Sequence, residues 1–421
     1  MNLFKMRAGS VATCVPALLL IACLEACSGG APDEPIADVV QSLEHVAAVE
    51  EEALLQTAKD AADEDLALLA QLKGWTIDEA TRHRAASDAV GTIANEILRT
   101  RPEIFVGSIV SDEPDEAPTL LIKGRADQGV RNLLSGSPVS IRVEDQQPYS
   151  FAELEARKLA VHRELERRGY RYVVTSAGIQ HRGLIRSVVT KEPALEDDPD
   201  RIMIGMPDHL KDFAVVGVSE SPVARDELAF GGMSVFSATN LCTSGWTLGY
   251  HAFWTDLVMG VTTAGHCPSM TTIDDPPGPN HALTFEAEHR GQWGDVEYSS
   301  VAAVTAEPRF YATGTSIRDV LASEPIGSIS LGETICLYSR IQGARRCAAV
   351  NDVSLACTLS GVFNDRLVQM DTDVSVGGDS GSGWSFNNTA YGGHKGDCGS
   401  LSSFSAADYF DEAVGHPVLL Q

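Results

Sequence analysis

Apolar residues recur three and four positions apart in the first part of the chain, from residue 39 to residue 99. Three members of one such run are Leu66, Leu69 and Ala70. This spacing is typical of amphipathic helices. Gly74 interrupts the run, and Thr76 followed by Glu79 has the pattern of a helix N-cap with a capping box. The sequence therefore predicts two or three helices here, whose apolar faces form ordinary core.

After Pro102 the pattern changes to short apolar runs that alternate with one charged amphipathic segment. The runs predict strands at residues 104–110, 119–122, 170–175 and 184–189, and the charged segment predicts a helix over residues 151–168. This part of the chain contains no glycine-rich phosphate loop and no cysteine. We therefore expect an α+β region, residues 39–225, without recognisable chemistry of its own.

Beyond a polar boundary at residues 219–231, short β-type runs are separated by turns rich in Gly, Thr and Ser. Few helical stripes remain. Many short strands with regular turns are typical of β-sandwiches and β-barrels. Residues 226–421 are therefore expected to form an all-β domain.

The first residues, 1–27, have the organisation of a signal peptide. Lys5 and Arg7 form a positive head, and a mostly apolar stretch of signal-peptide length follows from residue 11 to residue 22. Such a segment directs export, so the rest of the chain is expected in an oxidising compartment, secreted or in the cell envelope.

Two cysteines in this segment are candidate lipid attachment sites. Leu20-Ile21-Ala22-Cys23 resembles the lipobox of bacterial lipoproteins, and Cys27 is a second candidate followed by a flexible Ser-Gly-Gly run. An ordinary secretory signal without lipid is the alternative. Residues 28–38 are predicted to be a flexible acidic tether.

Composition and charge exclude several classes of partner. The hydrophobic fraction of 44% and charged fraction of 21% are typical of a globular protein with ample core. The formal net charge of -26 argues against nucleic-acid or anionic-membrane binding, because phosphates would repel the chain. No apolar run reaches the length of about 18 residues that a membrane-spanning helix needs. A lipid anchor would therefore be the only membrane contact.

The cysteines agree with export. Three of the nine lie in the signal region, and the other six lie in the second half of the chain: Cys242, Cys267, Cys336, Cys347, Cys357 and Cys398. Six cysteines in an exported domain suggest three disulfides, and sequence alone permits about fifteen pairings. Their spacing matches no paired C-x-x-C zinc pattern, so no metal site is expected.

Two motifs in the second half carry chemistry. In Gly378-Asp379-Ser380-Gly381, small residues leave the backbone free, so that Ser380 can attack a carbonyl while the N–H groups of Gly378 and Ser380 bind the oxyanion. His266, in Thr262-Thr263-Ala264-Gly265-His266-Cys267, lies 114 positions earlier and suits a general base. Taken alone, the first motif is equally typical of a plain glycine-rich loop, and the second of a structural histidine.

Together, T-A-G-H-C and G-D-S-G in this order resemble the chymotrypsin-like serine peptidases, specifically the secreted bacterial branch that includes streptogrisins and α-lytic protease. The resemblance implies an all-β catalytic domain of two six-stranded antiparallel β-barrels. It also implies that the preceding α+β region is a pro-region that assists folding and occupies the active site until cleavage between about residues 225 and 232.

The resemblance also implies a third catalytic residue. Gly294-Asp295-Val296-Glu297-Tyr298 lies where related peptidases place a G-D-x-x-[WY] segment, so Asp295 would orient His266. Asp274 and Asp275 are rivals by position, but they lie in a sequence typical of an exposed turn. The chain order His, Asp, Ser differs from the orders of subtilisins and α/β-hydrolases.

By the same resemblance, Cys242 would pair with Cys267 and Cys336 with Cys347, which leaves Cys357 for Cys398. The sequence departs from the family in having no cysteine shortly before G-D-S-G. In relatives an arginine of the small disulfide loop pairs with the aspartate before the serine. Three arginines could pair in this way with Asp379: Arg340, Arg345 and Arg346.

Two residues are expected to line the substrate pocket. Val374 occupies the position where an aspartate would select Lys or Arg, so a trypsin-like preference is not expected. His394, in the predicted pocket strand, resembles the histidine with which glutamyl endopeptidases hold an acidic side chain. A wall histidine in an apolar or broad-specificity pocket is the alternative.

The sequence thus predicts an exported serine endopeptidase made as a zymogen, with polypeptide substrates and no cofactor. Its catalytic residues would be Ser380, His266 and Asp295. A surface lipoprotein that uses a peptidase-like domain only for binding is the rival hypothesis.

Overall fold

The computed structural model describes most of the chain from residue 54 onward. The described residues are 54–179, 182–191, 195–219, 224–226, 232–237, 241–252, 256–267, 270–274, 280–301, 306–359 and 361–421. The predicted signal peptide and tether lie outside them, as does Asp275. Residues 50–421 form one compact unit.

Seven α-helices lie in the described part of the chain. They are α1 (Ala58–Lys73), α2 (Ile77–Thr100), α3 (Gln128–Ser135), α4 (Phe151–Arg167), α5 (Pro199–Gly205), α6 (Asp208–Lys211) and α7 (Phe410–Val414). The predicted capping box at the start of α2 is confirmed, because Thr76 and Glu79 each accept a hydrogen bond from the other's backbone N–H. Helices α3, α5, α6 and α7 were not predicted.

The first half of the chain also contributes eight short strands. They are β1 (Leu54–Gln56), β2 (Phe105–Ile109), β3 (Thr119–Lys123), β4 (Arg142–Gln147), β5 (Val173–Ser176), β6 (Ile185–Thr190), β7 (Ala214–Ser219) and β8 (Ala224–Asp226). Strands β2, β3 and β4 form a sheet in that order. The mixture of helices and strands confirms the α+β character predicted for this region.

The second half begins with a seven-stranded sheet. Its strands are β9 (Ser234–Phe236), β10 (Leu241–Thr243), β11 (Thr247–Ala252), β12 (Asp256–Thr263), β13 (Thr272–Ile273), β14 (His281–Gly291) and β15 (Gly294–Val301). They pair antiparallel in the order β10-β9-β13-β14-β15-β12-β11. The sheet has seven strands where six were expected. Two of them are very short, β10 and β13, and they flank β9 within the sheet.

Three short strands, β16 (Arg309–Thr313), β17 (Ser316–Asp319) and β18 (Ala322–Ser323), lead to the second barrel. Its strands are β19 (Thr334–Ser339), β20 (Ala344–Leu359), β21 (Val362–Met370), β22 (Gly383–Phe386), β23 (Thr389–Cys398) and β24 (Ser402–Ala406). They follow the order β19-β22-β23-β24-β21-β20, and pairing of β19 with β20 closes the ring. This is the expected six-stranded antiparallel barrel.

The two halves of the chain share one sheet and one core. Strand β5 pairs antiparallel with β20, so that β5, β6 and β7 extend the second barrel. Side chains of α2, such as Ile97, belong to the same buried apolar cluster as Leu337 and Trp384 of the barrel. Burial of apolar area is the main stabilising term in folding, so the α+β half contributes directly to the stability of the barrel.

A buried aspartate of the first half binds two arginines of the second. Asp65 of α1 is fully buried and accepts hydrogen bonds from Arg345 Nε at 2.8 Å and Arg318 Nη1 at 2.8 Å. It also accepts one from the backbone N of Asn387 at 2.6 Å. Burial opposes ionisation of Asp65, but the charges of Arg345 and Arg318 outweigh it and lower its pKa. One carboxylate thus ties α1 to three segments of the second half.

Two further charged contacts cross the same boundary. Arg84 of α2 donates to Glu333 Oε1 at 2.9 Å. Lys158 of α4 is fully buried and donates to Asp365 Oδ1 at 2.6 Å. Removing one member of a buried ion pair leaves an uncompensated charge, which costs far more than the intact pair contributes. These contacts make the docking of the two halves specific.

We expect Asp65→Asn to lower the free energy of unfolding by about 3 to 5 kcal/mol, because it leaves the buried Arg345 without its ion-pair partner and Arg318 with Glu64 alone. Denaturant unfolding of the full chain, carrying Ser380→Ala to suppress self-cleavage, measures this. Asp63→Asn on the same helix is the control, since Asp63 forms only an exposed pair with Lys59. Equal stability of the two variants would contradict the assigned role of Asp65.

Candidate active site

The three residues predicted to be catalytic come from two different sheets. His266 lies in the turn after β12, and Asp295 is the second residue of the neighbouring strand β15. Ser380 lies in the loop that joins β21 to β22 of the second barrel. The site therefore lies where the first sheet faces the second barrel.

The structure brings the three side chains into one hydrogen-bonded chain. His266 Nδ1 lies 2.6 Å from Asp295 Oδ2, and His266 Nε2 lies 3.0 Å from Ser380 Oγ. With the ring proton on Nδ1, the ring donates to the carboxylate and accepts from the serine hydroxyl. This is the arrangement in which a histidine can remove the serine proton.

All three side chains are buried in the full chain. Asp295 and Ser380 have 0 to 1% of their surface exposed, and 3% of the His266 side chain is exposed. Burial opposes ionisation of Asp295, but the charge of His266 and its hydrogen bond, followed by the charges of Lys395 and Arg290, outweigh it and lower its pKa. Asp295 is therefore held as a carboxylate beside the imidazole.

The loop that carries Ser380 is held by β10 of the first sheet. Thr243 N donates to Ser380 O at 2.9 Å, and Thr243 Oγ1 donates to Gly378 O at 3.1 Å. From the other side, Gly381 N donates to His394 O at 2.7 Å. The carbonyls of Gly378 and Ser380, next to the predicted oxyanion donors, are thus held by the first sheet. The Ser380–Gly381 peptide is also held by β23 of the second barrel.

Three contacts that sequence reasoning missed join the two sheets at the site. Ser405 Oγ of β24 accepts from Asp295 N at 2.8 Å, and Trp246 Nε1 donates to Gly392 O at 2.7 Å. The third is the pair of bonds from Thr243. The residues that make these contacts have the same sequence pattern as other strand residues, so no sequence signal distinguishes them.

The six cysteines lie in three pairs at disulfide-bonding distance. The pairs are Cys242 with Cys267, Cys336 with Cys347 and Cys357 with Cys398, as the resemblance implies. The first pair ties β10, which holds the Ser380 loop, to the residue after His266. The Cys357–Cys398 pair forms although this chain lacks the cysteine that relatives place shortly before G-D-S-G.

Asp379 is fully buried and its Oδ2 accepts from Val376 N at 2.9 Å. Of the three candidate arginines, Arg345 binds Asp65 instead. Arg340 and Asp379 both act on the pKa of Tyr338, which burial raises, so each of them lies near Tyr338. Arg340 and Arg346 stay the two candidates for the partner of Asp379.

One predicted pocket residue lies in the Ser380 loop and the other lies on β23. Val374 is half-buried in the first part of the loop, and its backbone N donates to Ser402 Oγ at 3.2 Å. His394 of β23 is fully buried, and its Nδ1 accepts from Trp384 Nε1 at 3.2 Å. That bond fixes the orientation of the His394 ring.

A segment of the first half lies beside the same strand. Strand β22 pairs with β23 from Thr389 to Gly393, and beyond this point β8 pairs antiparallel with Gly396, Asp397 and Cys398. Strand β22 begins only three residues after Ser380, so β8 lies along the sheet edge close to the nucleophile loop.

In the described part of the chain, no group of His, Cys, Asp and Glu could hold a metal, and no helix is long and apolar enough to cross a membrane.

Solved structures of serine proteases are similar to this chain over slightly less than half of its length. Thermobifida fusca Protease A is 20% identical with a TM-score of 0.35, and the match covers 46% of this chain and 99% of that one. An α-lytic protease homolog, N4, is 21% identical with a TM-score of 0.36, covering 45% and 97%. A glutamic acid specific serine protease, described as using a histidine triad in substrate binding, is 15% identical with a TM-score of 0.36, covering 45% and 99%.

No protein-family model and no curated protein matches the chain. The three structural matches all have TM-scores below 0.5, so they assign no family or function to this chain. The chemistry proposed below rests on the side-chain geometry of this chain alone.

We expect Gly381→Ala to destabilise the protein much more than Gly361→Ala. Both glycines have positive φ, +94° and +82°, so each substitution costs about 1 to 2 kcal/mol in backbone strain. At Gly381 the added Cβ would also collide with Thr243 O, whereas nothing lies within 4 Å of it at Gly361. Denaturant unfolding in the Ser380→Ala background measures the difference, and similar losses for both variants would show that β10 does not hold the loop.

Proposed function

We propose that this protein is a serine endopeptidase that hydrolyses polypeptides through an acyl-enzyme. The observation that carries the proposal is the continuous chain Asp295–His266–Ser380, with contacts of 2.6 and 3.0 Å. A serine is a weak nucleophile at neutral pH unless an adjacent base takes its proton. The arrangement supplies that base and a carboxylate that orients it.

In the first half of the reaction, Ser380 Oγ attacks the substrate carbonyl carbon while His266 Nε2 takes its proton. Asp295 holds the ring in the required tautomer and stabilises the imidazolium. The N–H groups of Gly378 and Ser380 bind the oxyanion, and preorganised donors of this kind contribute about 10²- to 10³-fold each. His266 then protonates the leaving amine.

In the second half, water attacks the acyl ester with His266 acting again as base, and Ser380 is released. Every proton transferred in these steps passes through His266. Val374 and His394 are proposed to line the pocket for the substrate side chain.

We further propose that the chain is made as an exported zymogen, with residues 39–225 as its pro-region. Two features support this. Ser380 is inaccessible in the full chain, and β8 occupies the edge of β23 beside the nucleophile loop as an antiparallel strand. An extended peptide that adds to a sheet edge is a common mode of peptide recognition. Three cysteine pairs at disulfide-bonding distance suit an oxidising compartment.

A fluorophosphonate probe tests the catalytic proposal. We expect stoichiometric labelling of Ser380 in the processed protein and none in Ser380→Ala or His266→Ala. In Asp295→Asn, kcat should fall by about 10⁴-fold, because the ring is left in the wrong tautomer. Ser375→Ala, in the same loop, is the control and should label normally. Absence of labelling in correctly folded, processed protein would favour the rival hypothesis of a binding domain.

The mass of the secreted protein tests the zymogen proposal. We expect the wild-type and Ser375→Ala chains to lose the first half, with a new N-terminus between about residues 225 and 232. The Ser380→Ala chain should stay intact until wild-type enzyme is added, because cleavage requires the nucleophile. An intact chain with full activity would contradict processing.

A further inference from the structure

The carboxylate of Asp295 has two oxygens in different environments. Oδ2 faces His266, whereas Oδ1 is buried and accepts no hydrogen bond from any described residue. Arg290 of β14 is the register partner of Asp295 across the β14–β15 pair, and its Nε lies 3.6 Å from Oδ1. The guanidinium therefore forms an ion pair with the oxygen that His266 does not use.

The residue before His266 makes room for this contact. A Cβ at Gly265 would lie 2.8 Å from Asp295 Oδ1 and 3.0 Å from Arg290 Cγ. The same Cβ would lie 2.9 Å from His289 O, so any other residue here would require the carboxylate, the arginine or the β14 backbone to move. The short turn before the proposed general base thus permits the close approach of the arginine.

A second cation lies near the same carboxylate. Lys395 of β23 is fully buried, at the point where the β23–β24 register shifts, and its charge favours the ionised form of Asp295. The other charged or titratable groups near the triad are His289 beside Arg290, Glu297 on β15 and Asp379 next to Ser380. Arg290 and Lys395 favour the ionised form of Asp295, and His289 also interacts with this carboxylate, although burial lowers the pKa of His289.

We propose that Arg290 is a positioning residue that fixes the outer oxygen of Asp295 and offsets part of the stabilisation that this carboxylate gives to the protonated His266 ring. The role in turnover rests on the proposed function. The physical reason is that a carboxylate stabilises the neighbouring imidazolium, and a cation on its far oxygen offsets part of that stabilisation.

The sign of the effect follows from the role of His266. The base must be unprotonated to accept the serine proton, so kcat/KM falls on the acid side as the ring becomes protonated. Removing the positive charge at Arg290 makes protonation easier. The acid limb of the kcat/KM profile should therefore move to higher pH.

The experiment compares three variants of the secreted, processed enzyme. We expect the acid limb to move upward by about half a pH unit or more in Arg290→Gln, from the removal of one charge near the carboxylate. Arg290→Lys should stay close to wild type because it keeps the charge. Arg309→Gln is matched for net charge and should not move the limb, since Arg309 pairs with Asp319 on the β16–β17 hairpin.

A second measurement does not need activity. Histidine-selective NMR on the full chain carrying Ser380→Ala follows the titration of the His266 ring, whose midpoint should rise with Arg290→Gln and not with Arg309→Gln. Unchanged limb and midpoint in Arg290→Gln, or an equal shift in Arg309→Gln, would overturn the inference. A wild-type chain without peptidase activity whose ring still responds to Arg290→Gln would refute the proposed function and support the assigned contact.

Discussion

The three side chains proposed to act together in catalysis must be held within hydrogen-bonding distance, although they come from two separate sheets. His266 and Asp295 belong to the first sheet and Ser380 to the second barrel. The alignment depends on bonds that cross the junction: Thr243 to the Ser380 loop and Ser405 to the backbone of Asp295. A shift of one sheet against the other by about 1 Å would break the chain of contacts on which the proposed rate depends.

The first half of the chain stabilises this junction from outside. It adds three strands to the second barrel and shares its apolar core. Its buried charges are matched to charges of the second half, with Asp65 between Arg318 and Arg345. A buried charge without its partner is costly, so correct docking is strongly favoured over misaligned docking.

The motifs made the proposed nucleophile and base predictable from the sequence, because Gly378–Gly381 and Thr262–Cys267 have few other uses in combination. The capping box at Thr76 and Glu79 was predictable for a local reason, since both partners lie within one helical turn. Local periodicity also gave the strands at residues 105–109 and 119–123.

Contacts between distant residues were not predictable in this way. Asp65 lies 280 positions before Arg345 and looks in the sequence like any exposed helical carboxylate. The sequence left three arginines as candidate partners of Asp379. The pairing of Arg345 with Asp65 leaves two of them. Arg290 shows the same difficulty, since its relation to Asp295 depends on the register of a hairpin. Such pairs follow from tertiary packing, which periodicity and spacing do not encode.

The central claim is that Ser380 becomes acylated during turnover. The most direct measurement is mass spectrometry of the processed protein after acid quenching during turnover of an activated ester. We predict an acyl adduct on the peptide that contains Ser380, formed at one equivalent per chain and lost on further incubation. An unmodified Ser380 peptide during steady turnover, or an adduct on another residue, would contradict the account.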